Sequence, residues 1–291
     1  MLALAGDAPV MIISGASSQS LSASLATELD EPLATVETDR FADGEFKCRV
    51  PDAGGERAVV VASTVSAAAH LELLQLQDLA GEAFDEVVTV LPYMGYARQD
   101  RAFRDGEPVS ARAVARAIST GTDRVLAVNP HEPAVGEFFD VPFAAVDAAP
   151  RLADPLPALD EPLFLAPDEG AIDLAATVRD AYGTGATDYF EKTRDYDTGE
   201  VSVEPADTAV AGRDVVLVDD IIATGSTMSS AIAQLHDRDV GAVHVTCVHP
   251  MLADNARTKL ANAGVASLHG TDTVERPVSH VSVAPVVADR L

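Results

Sequence analysis

Short, β-branched apolar runs recur along the chain at residues 10–13, 59–62, 87–91, 125–128, 163–166, 215–218 and 243–248. Each leads into a polar or glycine-rich loop and then a helical pattern, as at 20–29, 70–81, 110–120, 173–182 and 226–236. Strands alternating with helices predict βαβ units and a mostly parallel sheet. Runs that are apolar at every position, such as 215–218, suit strands covered on both faces. The turn- and proline-rich stretch 139–162, with Pro142, Pro150, Pro155, Pro157 and Pro162, separates the two sets of runs. We therefore expect an α/β protein of two tandem domains, 1–141 and 142–291, each a mostly parallel sheet flanked by helices. The polar segment 194–213 reads as a hairpin or a mobile loop. The repeated strand-then-loop pattern agrees with an internal duplication.

A chain of 291 residues has room for one large or two medium domains. It carries 46 acidic and 20 basic residues, a net charge of −26. Aspartate outnumbers glutamate by 29 to 17, and Lys47, Lys192 and Lys259 are the only lysines. Such a surface fits a halophilic cytoplasm, where salt screens its self-repulsion; the alternative is an acidic protein at ordinary salt. Nonspecific nucleic-acid binding, which needs basic footprints, is disfavoured. No run approaches the roughly 18 apolar residues of a membrane span. Residues 1–10 carry no Lys or Arg and include Asp7, unlike a secretory signal. Cys48 and Cys247 make neither a disulfide framework nor a zinc cluster. The expectation is a cytoplasmic protein with no membrane or nucleic-acid partner.

In open parallel sheets, ligands bind outside the carboxyl ends of the strands. The segment 215–227 runs from an apolar strand into Asp219 and Asp220, then through Ala223, Thr224, Gly225, Ser226 and Thr227 into a helix. Backbone N–H groups at such a helix start cradle phosphate, and Gly225 lets the backbone approach it. The two carboxylates are placed to accept from vicinal sugar hydroxyls. The competing reading is a plain helix cap beside a solvated Asp pair. No Walker A sequence occurs, and Gly183-Thr184-Gly185 does not continue into a dinucleotide fingerprint.

This segment resembles the phosphoribosyl-diphosphate motif of phosphoribosyltransferase-type folds. Alone it leaves nucleobase phosphoribosyltransferases and ribose-phosphate pyrophosphokinases both open. Further segments follow in order: Phe41-Ala42-Asp43-Gly44-Glu45, Ser63-Thr64-Val65-Ser66 leading to Glu72-Leu73-Leu74, Tyr96-Ala97-Arg98-Gln99-Asp100-Arg101, Asn129-Pro130-His131 and Ala166-Pro167-Asp168-Glu169-Gly170-Ala171. Together they resemble the ribose-phosphate pyrophosphokinase family, in a haloarchaeal-like form, over nearly the whole chain. The resemblance implies two phosphoribosyltransferase-type domains and transfer of a diphosphoryl group from ATP to ribose 5-phosphate. It implies ATP on Phe41, Asp43, Gly44, Glu45, Arg98 and Gln99, and Mg²⁺ on His131 and Asp168. It further implies Lys192 as catalytic lysine with Arg194 as partner, ribose 5-phosphate on Arg194, Asp219, Asp220 and residues 223–227, and a homo-oligomer whose adenine site a neighbouring subunit completes.

The residue chemistry agrees with those roles. An aromatic ring at Phe41 stacks on adenine, although a lone Phe is more often a core residue. Guanidinium groups at Arg98, Arg101 and Arg104 suit phosphate. Asp168 and phosphate oxygens suit a hard Mg²⁺ ion, with the His131 contact running partly through water. Cations at Lys192 and Arg194 suit charge developing on a transferring group. Three departures from the family pattern stand out. Ala223 replaces the aspartate that usually opens the phosphate loop, the loop after Arg101 is less basic than is common, and Glu169 occupies a position where other members differ. The remaining alternatives are a noncatalytic regulatory homologue and a nucleobase phosphoribosyltransferase.

Overall fold

The structure, a computed structural model, describes residues 10–194, 201–205 and 209–291, with 191–194 and 201–205 as backbone. Its first part runs β1 (Val10–Ser14), α1 (Gln19–Leu29), β2 (Glu37–Arg40), β3 (Phe46–Arg49), β4 (Gly55–Val61), α2 (Ala67–Ala83), β5 (Phe84–Leu91), α3 (Ser110–Ser119), β6 (Arg124–Val128) and β7 (Phe143–Val146). Strands β1-β4-β5-β6-β7 form one parallel sheet in that order. Ile13, Val60, Leu91 and Val125 on one face of the sheet, with Leu73 and Leu76 of α2 and Ile118 of α3, make a core. Ser66 caps α2, its hydroxyl accepting from the Ala69 N–H at 3.1 Å, a contact worth about 1 kcal/mol.

Strands β2 and β3 stand apart as a two-stranded antiparallel hairpin. Its four register pairs set Glu37 opposite Arg49 and Asp39 opposite Lys47. The ion pairs, 3.0 and 3.8 Å long, are exposed and contribute well under about 1 kcal/mol each.

The second part continues with β8 (Leu163–Ala166), α4 (Ile172–Tyr182), β9 (Ala186–Arg194), β10 (Val201–Pro205), β11 (Val215–Ile221), α5 (Ser226–His236), β12 (Val243–His249), α6 (Ala256–Asn262), β13 (Ser267–Thr271) and β14 (Ser279–Val281). The sheet order is β10-β9-β8-β11-β12-β13-β14, parallel except for β10 against β9. Residues 215–218 of β11, central and buried on both faces, are fully apolar as the pattern required. Val215 and Leu217 pack with Leu163, Phe190, Ile232, Leu235 and Leu260. The expected hairpin or loop at 194–213 begins as the β9–β10 pairing, with Arg194 opposite Val201. Buried Cys247 and half-buried Cys48 are both free thiols.

The chain divides into two compact units: 10–147 with 273–275 and 282–291, and 148–272 with 276–281. The division falls after Asp147 rather than Val141, because β7 pairs with β6 and keeps 143–146 on the first sheet. The chain end returns to the first unit, where α7 (Ala284–Ala288) packs on α1. The Ser63 hydroxyl donates to the Thr273 carbonyl at 2.5 Å, and Arg124 donates to the Arg290 carbonyl at 2.8 Å. No helix among the described residues is long and apolar enough to cross a membrane.

Candidate active site

In the first unit the predicted adenine residues sit at the tip of the β2–β3 hairpin. The turn closes through Phe41 N–H to Glu45 O at 2.7 Å and Gly44 N–H to Phe41 O at 3.0 Å. Gly44 has φ +96°, a conformation that favours glycine. The Asp43 carboxylate accepts from the Glu45 N–H at 3.1 Å. Phe41 is 51% exposed, so it is no core aromatic, and Lys47 Nζ lies 5.4 Å from its ring centroid.

The loop after β5 owes its path to a close backbone approach. A Cβ on Gly95 would lie 2.2 Å from the Thr64 carbonyl oxygen, so only glycine fits. The Gly95 N–H donates to Thr64 Oγ1 at 2.8 Å. Tyr96 follows at φ +65°, exposed and tilted against His70 at 5.5 Å. Gln99, expected on ATP, has its Oε1 accepting from the Ser110 hydroxyl at 2.5 Å and its Nε2 donating to the Pro108 carbonyl at 3.4 Å. Arg98 is exposed and makes no ion pair among the described residues. Beyond β6, Asn129 turns the chain at φ +34° and donates to Asp147 Oδ1 at 2.8 Å, leaving His131 exposed at the sheet's carboxyl edge.

The second unit brings Asp168, Asp219 and Asp220 together at the carboxyl ends of β8 and β11. Asp219 Oδ1 accepts from the Asp220 N–H at 2.9 Å, and Asp220 Oδ1 from the Ile221 N–H at 2.7 Å. Burial pushes the Asp219 carboxyl well above its ordinary range, and the Asp220 and Asp168 charges push the same way. Opposite it on β12, burial raises the Cys247 thiol. Gly225 opens α5 at φ +69°, without a side-chain cap on the helix start. A Cβ there would meet Ala256 atoms at 3.2–3.3 Å. The chain after β12 clamps the loop backbone, with Leu252 and Ala253 N–H donating to Ile222 and Ala223 carbonyls at 2.9 Å. Thr224, Ser226 and Thr227 are exposed.

The side chains of Lys192 and Arg194 lie outside the described residues; their backbone belongs to β9. Sequence reasoning missed Lys259 on α6, whose Nζ donates to Ser226 Oγ at 3.0 Å and the Thr224 carbonyl at 3.3 Å. Its one signal was rarity in a lysine-poor chain. A cavity of about 410 Å³ in the first unit, lined by Ser14, Thr38 and Glu72, contains none of the predicted site residues. Burial raises the Glu72 carboxyl there, although it accepts from the Ala16 N–H at 3.1 Å.

Comparison with known proteins joins these features. Residues 10–121 match the N-terminal domain of ribose phosphate pyrophosphokinase, and 158–283 match the phosphoribosyl transferase domain. The chain is 62% identical over 284 residues to a ribose-phosphate pyrophosphokinase of Halobacterium salinarum, covering 97% of this chain and 100% of the relative. It is 41% identical over 283 residues to that of Methanothermobacter thermautotrophicus, covering 96% and 99%. The crystal structure of phosphoribosylpyrophosphate synthetase from Mycobacterium smegmatis superposes with a TM-score of 0.80 at 26% identity, covering 97% of both chains. A match of this extent through both units places a phosphoribosyltransferase-type domain in each, and the chain belongs to the ribose-phosphate pyrophosphokinase family.

Proposed function

We propose that this chain transfers the β,γ-diphosphoryl group of ATP to the anomeric hydroxyl of ribose 5-phosphate, forming phosphoribosyl diphosphate and AMP for nucleotide biosynthesis. The observation that carries this reading is the Asp219–Asp220 pair at the end of a buried strand, one turn before a glycine-opened helix start, in a chain matching the family from end to end. The sugar oxygen attacks the β-phosphorus and loses its proton; the bond from that phosphorus to the α-phosphate oxygen breaks, and AMP departs. Such chemistry depends mainly on positioning and charge neutralisation.

Asp219 and Asp220 accept from the sugar hydroxyls, while Ala223, Thr224, Gly225, Ser226 and Thr227 hold the 5-phosphate. Phe41, Asp43, Gly44 and Glu45 receive the adenine nucleotide, and Arg98 its phosphates. Gln99 joins Arg98 in binding ATP, with its Oε1 also accepting from the Ser110 hydroxyl. Lys192 and Arg194 stabilise the charge on the transferring group. The hairpin tip, residues 41–45, is exposed throughout. That supports an adenine site completed by a second copy, hence a homo-oligomer.

His131 and Asp168 are the residues that would hold Mg²⁺. Among the described residues no group of three or more His, Cys, Asp or Glu could hold an ion. That donor set fits Mg²⁺, which keeps waters and substrate phosphates in its shell rather than an all-protein cage. When bound, the ion neutralises phosphate charge. The acidic, lysine-poor surface supports a cytoplasm of high salt. The direct test is AMP release from ATP with Mg²⁺ in molar KCl. Release that requires ribose 5-phosphate supports the reading; no release would favour a noncatalytic homologue.

A further inference from the structure

Segment 219–227 holds two carboxylates and no cation, yet it is the segment read as receiving a sugar 5-phosphate. A phosphate monoester brings a charge of about −1.5 to −2 at pH 7. The nearest described compensation comes from a different element. Lys259 is half-buried on α6 and reaches back across 33 residues of sequence, its Nζ 3.0 Å from Ser226 Oγ. Its second contact is the Thr224 carbonyl at 3.3 Å. An ammonium has three donors, so one is left over.

Two further observations make this more than an incidental surface lysine. In a chain with 46 acidic residues, Lys259 pairs with no carboxylate among the described residues. The placement is also built in. Ala256, three residues before Lys259, packs against Gly225 closely enough that any side chain there would press on it at 3.2–3.3 Å. The Lys259 N–H is held in α6 by the Asn255 carbonyl at 2.9 Å. Helix and loop are thus fixed together, with the ammonium on the loop.

We propose that Lys259 is a substrate-binding residue, giving its third donor to the 5-phosphate of ribose 5-phosphate and supplying the positive charge that the loop itself lacks. This rests on the reading of residues 223–227 as the ribose 5-phosphate site. A contact made to the non-reacting end of the substrate is the same before and at the transition state. Its loss should therefore raise KM and leave kcat nearly unchanged.

The test compares wild type, Lys259→Met and Lys259→Arg by steady-state kinetics and by calorimetric titration with ribose 5-phosphate in molar KCl. Expected for Lys259→Met is a KM and a dissociation constant for ribose 5-phosphate raised about tenfold or more. Its kcat should stay within about threefold, and its KM for ATP and its thermal midpoint should not change. Lys259→Arg, which keeps the charge, should recover most of the affinity. If wild type binds ribose 5-phosphate and forms AMP while Lys259→Met binds it equally well, the Lys259 assignment falls and the site reading stands. A Lys259→Met variant that loses kcat alone overturns the assignment too, since that pattern marks loop positioning. If wild type neither binds ribose 5-phosphate nor forms AMP, both the proposal and the reading beneath it are refuted.

Discussion

The two adjacent carboxylates at the end of β11 set stability against function, and Asp219→Asn should separate them. Asp219 is half-buried beside Asp220, and its carboxyl is raised well above the ordinary carboxylate range, by burial first and then by the Asp220 charge. A folded-state value above the unfolded one means that folding favours the protonated form. That contribution is fully present below the unfolded carboxylate range and is lost as pH rises through the raised folded value. Asparagine mimics the neutral form, and its Oδ1 can still accept from the Asp220 N–H, now at 2.9 Å. Two adjacent carboxylates repel by on the order of a few kcal/mol at an effective dielectric near 20, and partial exposure of the pair with molar salt leaves about 1–2 kcal/mol. At about 2–4 °C per kcal/mol, the Mg²⁺-free variant should melt about 3–6 °C above wild type at pH 7.5. That gap should shrink towards zero on acidification. Adding ribose 5-phosphate and Mg²⁺ should stabilise wild type but not the variant. Differential scanning fluorimetry from pH 4.5 to 8 in about 3 M KCl measures this, with the salt set near its screening limit. A variant no more stable than wild type at neutral pH, or a gap independent of pH, would refute the electrostatic account.

Lys192→Ala should lower the rate of AMP formation by about three orders of magnitude or more while calorimetric binding of ribose 5-phosphate survives; near-normal turnover would remove Lys192 from catalysis. Gly225→Ala combines φ +69° with a Cβ at 3.2 Å from the Ala256 carbonyl, so it should cost about 1–2 kcal/mol in urea unfolding and weaken ribose 5-phosphate more than ATP. Wild-type stability there would mean that the turn tolerates a side chain. A net charge of −26 repels itself over a Debye length of about 30 Å at 0.01 M salt but only about 3 Å at 1 M, so activity and thermal midpoint should both climb from about 0.05 to 3 M KCl. A flat or falling midpoint would contradict the halophilic reading and leave the reaction untouched.

What the sequence made legible follows the strength of its periodic signal. The central strand β11 is apolar at all four of its first positions because both faces are covered, and its end, the Asp pair and the glycine turn are contiguous in sequence. The β2–β3 hairpin was invisible as a strand pair. Glu37, Thr38, Asp39 and Arg40 are all exposed, so no burial pattern marks them, and only cross-strand pairing makes them a strand. The motif at its tip was found by resemblance, and the exposure of Phe41 removes only the reading as a core aromatic. Short edge elements such as β7, β14 and α6 carry too few residues for a period to show. The return of α7 to α1 and the approach of Lys259 to Ser226 are contacts between distant positions, which local patterning does not encode. Gln99 illustrates the converse: the motif marked the residue, but only the fold shows that its Oε1 accepts from Ser110.

The most direct test of the central claim follows the phosphorus. ATP labelled at the β-phosphorus, incubated with ribose 5-phosphate and Mg²⁺ in molar KCl, should lose its label from the nucleotide. The label should appear on the sugar in one-to-one proportion with AMP, with ³¹P resonances of a diphosphate ester at the anomeric carbon. Attack at the β-phosphorus, with AMP as leaving group, requires that outcome. Label retained in ADP would mean transfer of the γ-phosphoryl group alone, and label retained in ATP would mean no transfer; either result contradicts the account.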